Sequence, residues 1–304
     1  MDPLFRPAVH SGGAADFMDL FQPNAPWLRA ARHTRVFKLY PQFVGHGTDR
    51  DLRQVIDGLK RLHIDLAIEF GMLRAGASCG QGVEGYGGEG AKVVARRIRR
   101  LGGKFSYIAM DEPLWFGHDA QARNACHSPI QAIARNAAAD VQAVREIFPD
   151  VVVGDIEPIS NFAESAWPAE MGDWFAAYRA ATGRPLAFVH ADVDWSKPWL
   201  GRLSRLRRLL RREGIRFGLI YNGNIKYKTD RGWIESAQRH FQTYESGGRA
   251  PPEDVIFQSW VRNPTHVLPE DDPAAFTYLI NSYFRERPRM PRYPEDRAHG
   301  RGYR

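Results

Sequence analysis

Apolar runs of strand length alternate with helix-like segments along almost the whole chain, and that alternation limits the folds open to it. The runs cover residues 36–44, 64–72, 105–110, 151–156, 186–193, 215–221 and 255–260. Between them lie stretches such as DRDLRQVIDGLKRLH, AKVVARRIRRLGG, IQAIARNAAADVQAVREIFPD and MGDWFAAYRAATG. Their apolar residues recur every three or four positions, and several stop at glycine, a common helix end. Strands and helices in strict alternation predict a parallel sheet with helices packed outside it. An eighth strand is expected over residues 5–10, ahead of FMDLF, which would close an α/β fold into a single (β/α)8 TIM barrel. The barrel is expected to span residues 1–284, with 285–304 as a basic, flexible tail. An open doubly wound sheet is the rival arrangement. Its nucleotide-binding form is disfavoured because no glycine-rich phosphate loop follows the first strands.

Composition narrows the partners. No apolar run approaches the roughly 18 residues that span a bilayer, so no membrane partner is expected. The start, MDPLFRPAVHSGG, lacks the basic and apolar regions of a signal peptide, which predicts a cytoplasmic location. The net charge of +7 raises nucleic acid as a partner. Its arginines, however, crowd outer helical faces (Arg96, Arg97, Arg99 and Arg100; the segment RLSRLRRLLRREG) and the tail. They are not interleaved with aromatics as in a strand-binding surface, so no nucleic-acid partner is expected.

The longest loop, RAGASCGQGVEGYGGEG, holds seven glycines and Cys79; Cys126 lies in ARNACHSP after the run 105–110. In a barrel these loops are neighbours on one face, so the two cysteines are either a disulfide or two free thiols. A disulfide would move the expected location to a secreted or periplasmic one.

Acids gather where these runs end. YIAMDEPLWFGH leaves its strand into Asp111, Glu112, a proline and Trp115; VVVGDIEPIS repeats the move with Asp155 and Glu157; LAFVHADVDW adds His190, Asp192, Asp194 and Trp195. Residues two apart share a strand face, and barrel active sites form at the C-terminal strand ends. Glu69, Asp111, Glu112, Asp155, Glu157, Asp192, Asp194, Tyr221, Asn222 and Gln258 are therefore expected to converge on one bowl, joined by Lys38. So much buried negative charge is costly without positive partners, which favours a functional reading of the cluster over packing alone. Trp115, Trp195 and Trp260 beside the acids suit the flat faces of sugar rings.

MDEPLW resembles the acid-proline motif that many (β/α)8-barrel glycoside hydrolases carry after a strand, and FQSWVRNPTHVLPEDDPAAFTYLINSY resembles their final strand and helix. The resemblance implies a carbohydrate substrate and a general acid at Glu112. The chain departs from the largest group with that motif: GLIYNGN, counted as the seventh strand, carries Tyr221 and Asn222 where that group has its nucleophilic Glu. The partner carboxylate is then Glu157 or Asp192. A Glu112–Glu157 pair on adjacent strands suits a retaining reaction, and a Glu112–Asp192 pair a wider, inverting one. Lys38, Glu69, Asp111, Trp115, Asp155, His190, Asp194, Trp195, Tyr221, Asn222, Gln258 and Trp260 are expected to bind substrate, with no cofactor or metal. Two alternatives stay open: a metal-dependent isomerase, aldolase or phosphodiesterase with Glu157, Asp192 and His190 as ligands, and a barrel that binds sugar without cleaving it.

Overall fold

In the computed structural model, which describes residues 14–246 and 249–286, seven parallel strands pair in sequence order. They are β1 (Val36–Leu39), β2 (Asp65–Phe70), β3 (Tyr107–Asp111), β4 (Val152–Pro158), β5 (Phe188–Asp192), β6 (Arg216–Tyr221) and β7 (Asp254–Phe257). The sheet curls until its two edges meet through side chains: Lys38 Nζ on β1 donates to Gln258 Oε1 at 2.6 Å, and Gln258 also donates to the Tyr40 hydroxyl. This is the α/β barrel class expected of the alternation. The strand expected over residues 5–10 lies outside the described residues.

The outer layer follows the helical pattern. After the short α1 (Leu28–His33) and α2 (Pro41–His46) come α3 (Asp49–Leu62), α4 (Ala91–Arg100), α5 (Ile130–Arg145) and α6 (Trp167–Thr182). Then follow α7 (Leu200–Glu213), α8 (Asp230–Glu245) and α9 (Phe276–Glu286). Thr48 and Thr229 cap α3 and α8 by accepting the amides of Asp51 and Gly232, and α6 and α7 end on left-handed Gly183 and Gly214. The run 36–44 is strand only to Leu39, because Pro41 sits in the first turn of α2, where its missing N–H costs nothing. α9 runs past residue 284; the rest of the expected tail, 287–304, lies outside the described residues.

Packing fixes which face of each strand looks inward. Ala109, Ile156, Phe188 and Ile220 form a small inner cluster, and most other buried apolar residues pack between sheet and helices. Phe188 and His190 stack at 4.4 Å inside the barrel, and their neighbours are glycines for that reason. A Cβ on Gly154 would lie 2.2 Å from the Phe188 ring, and one on Gly218 2.3 Å from His190. Gly154 and Ile156 therefore point inward, and Asp155 and Glu157 outward.

Candidate active site

Alternation from those inward positions brings Lys38, Glu69, Asp111, His190, Asp192, Asn222 and Gln258 to the barrel interior or its mouth. Lys38 forms a salt bridge with Glu69, whose residue is only 5% exposed, and the Gln258 amide donates to both Glu69 oxygens at 3.2 and 3.4 Å. Tyr40 closes this network through Gln258. Glu112 follows β3 at φ +48, a left-handed conformation uncommon for a residue with a side chain. Its amide donates to Ile156 at 3.1 Å and its carbonyl accepts from Phe116 at 2.9 Å, so both neighbours hold the turn in place. Strain of this kind clusters at functional sites.

The carboxyls are held far from their ordinary behaviour. Burial, with the negative charges of Asp192, Asp111 and Glu157 nearby, holds Glu112 well above the usual carboxylate range. Burial and the charge of Glu69 do the same to Asp111. Asp192 is pushed up to about 7 by burial and by Glu69, against the opposing pull of Lys38 and the Val193 amide. Lys38 is a counter-charge for Asp111 and Asp192. Glu84, from the glycine-rich loop after β2, adds its negative charge to Asp111, Glu112 and Asp192.

Three residues expected in the bowl lie on the outer face. Asp155 is fully buried and accepts from Trp174 Nε1 on α6 at 2.6 Å. Tyr221 is fully buried and donates to Glu245 on α8 at 2.9 Å. Glu157, also fully buried, accepts the backbone amides of Leu114 (2.7 Å) and Trp115 (3.1 Å). Alternation gives Asp155 and Glu157 a common face, which is the outer one because Gly154 and Ile156 hold the inner; on β6, Gly218 and Ile220 do the same to Tyr221. Glu157 thus anchors the turn that follows Glu112. His190 points inward, 3.5 Å from Asp254, and burial lowers its pKa.

Above the bowl a cleft of about 520 Å³ opens beside β5 and β6, lined by Asp192, Asp194, Trp195, Asn222, Lys226 and Trp260 among others. Asp194 is exposed and bonds to Ser196 and Lys197. Trp195 stacks on His240 at 4.5 Å, and Trp260 packs on the inner cluster. Trp115 meets Phe162 edge-on at 5.3 Å. The loop after β2 is fastened over this end by the disulfide Cys79–Cys126 (Cα–Cα 5.1 Å) and by Gly80 N–H donating to Asn124 at 2.7 Å. Among the described residues, the side chains with donor atoms spaced for one metal ion are His118, Asp119 and Glu170; Glu157, Asp192 and His190 form no such group.

No protein-family model matches the chain, and no curated protein sequence does. Solved structures match its fold. A glucosidase from Croceicoccus marinus aligns over 92% of this chain and 65% of its own, with 11% identity and a TM-score of 0.53. Fungal β-1,4-galactanase aligns over 78% and 80% (12% identity, TM-score 0.49), and morphinone reductase over 91% and 86% (13%, 0.46). Likeness at such identities defines the barrel and not the reaction.

Tyr40, Glu84 and Asp254 were not singled out from the sequence. Tyr40 lies two positions past Lys38, just beyond β1, and Asp254 two before Ile256 on β7, so alternation carried a signal for both. Glu84 sits in a loop without periodicity and carried none.

Proposed function

We propose that this protein hydrolyses a glycosidic bond in an oligo- or polysaccharide, with Glu112 as general acid and Asp192 as its partner. The observation that carries the reading is the gathering of Asp111, Glu112, Asp192 and Glu69 at the mouth of a barrel, beside a cleft edged by Trp195 and Trp260. Such cleavage needs one protonated and one ionised carboxyl. Lys38 favours ionisation of Asp192, whereas Glu112 feels mainly other acids and keeps its proton. Glu112 would give that proton to the glycosidic oxygen as the C–O bond breaks. Asp192 would take one from the water that attacks the anomeric carbon.

Strand order supports an inverting outcome. Glu112 follows β3 and Asp192 ends β5, so β4 lies between them. Two strand spacings amount to about 9.6 Å, near the wide separation that admits a water. Glu157, occupied on two backbone amides, serves better as the anchor of the Glu112 turn than as a nucleophile or a metal ligand. The disulfide suits an oxidising compartment.

The test is reducing-end release from a panel of neutral and acidic polysaccharides by wild type and Glu112→Gln. Wild type should cleave at least one, with Glu112→Gln slower by about 10²–10⁴-fold. Binding to a polysaccharide without cleavage by wild type would leave a sugar-binding barrel instead.

A further inference from the structure

We propose that His118, Asp119 and Glu170 form a divalent-cation site on the rim of the barrel, outside the carboxylate bowl, which fastens the loop bearing Glu112 to α6. After β3 the chain makes a single π-helical turn, Trp115–Asp119, and His118 and Asp119 close it. Glu170 reaches this point from the first turn of α6. One donor atom from each of the three lies within 4.8 Å of the others, close enough for a single ion with bonds of about 2.0–2.2 Å to draw them together.

Two further observations point to a cation rather than to a hydrogen-bonded cluster. His118 Nδ1 lies 2.8 Å from the Ser128 carbonyl. A carbonyl only accepts, so Nδ1 carries a proton and the ring is fixed, which leaves Nε2 as the nitrogen for a cation, the arrangement that backs metal-binding imidazoles. Asp119 Oδ2 is buried, and no protein group donates to it. A carboxylate oxygen taken from water without a donor is costly, and an ion supplies what is lacking.

The donor set indicates which ion. One imidazole and two carboxylates suit Zn²⁺ or Mn²⁺, whereas Ca²⁺ and Mg²⁺ prefer oxygen alone. Water would complete the coordination. The ion would hold Trp115–Asp119, and through that turn Glu112, against α6. This site does not depend on the glycosidase reading.

The untagged full-length protein, stripped with a chelator and dialysed, is titrated with Zn²⁺ by calorimetry, and its bound ion counted by mass spectrometry. One ion per chain is expected, with affinity lower by at least about tenfold in His118→Ala and Glu170→Gln but unchanged in Asp192→Asn. Bound Zn²⁺ should also slow acylation of His118 by diethyl pyrocarbonate in wild type, a readout that needs no variant to fold. Absence of uptake, uptake indifferent to His118 and Glu170, uptake lost in Asp192→Asn, or His118 left unprotected would each overturn the site.

Discussion

Lys38 shows how much a single residue carries here. Its ammonium is paired with Glu69, both largely shielded from water, and with Gln258. Removing one partner of such a pair leaves an uncompensated buried charge, so Lys38→Met should cost about 3–5 kcal/mol in urea unfolding. Adding Glu69→Leu should recover much of that loss. Asp192 gives a pH prediction. With a pKa near 7 it ionises late, so kcat/KM should rise through an acid limb near pH 7 and fall again as Glu112 loses its proton. The effect on stability has the opposite sense. A carboxyl whose folded pKa exceeds its unfolded value near 4 binds more protons when folded, so its contribution is full below about pH 4 and lost as pH rises through 7. Asp192→Asn should therefore raise the unfolding temperature more at pH 8 than at pH 5, by roughly 2–4 °C or more in calorimetry. Much of this residue-level network was legible: Lys38, Glu69 and Gln258 follow from alternation. What alternation cannot supply is the inward face of an isolated strand. For β4 that was decided by Phe188 filling the space over Gly154.

Among the elements, the loop between β2 and α4 has the most consequence. Its glycines give no pattern, and its position comes from the Cys79–Cys126 bond, the Leu73–Tyr86 bridge and Gly80 on Asn124. Those contacts place Glu84 near the acids. The disulfide closes a stretch with a sequence separation of 47, so Cys79→Ser with Cys126→Ser should lower stability by about 2–4 kcal/mol and expose residues 74–90 to protease first. Strand order makes a second prediction at this scale: proton NMR of the first product formed should show the inverted anomer. Initial retention would place the partner carboxylate nearer to Glu112 than Asp192 on β5.

At the scale of the molecule, the alternation of strands and helices was enough to give the barrel, because burying both faces of a parallel sheet leaves few other solutions. The charge is explained locally. Arg97 and Arg100 pair with Asp49, Arg202 and Arg205 with Glu164, and Arg207 with Glu253, so part of the basic surface is bound within the chain. The reaction was less legible, since it depends on which of several acids share the interior. The most direct test ranks three of them on one cleaved polysaccharide: Glu112→Gln, Asp192→Asn and Glu157→Gln. The account predicts losses of about 10²–10⁴-fold for the first two. For Glu157→Gln, which disturbs a hydrogen-bonded turn and removes one of several negative charges near Glu112, it predicts a loss within about tenfold. Full activity in Glu112→Gln, or a Glu157→Gln enzyme as inactive as Asp192→Asn, would contradict it.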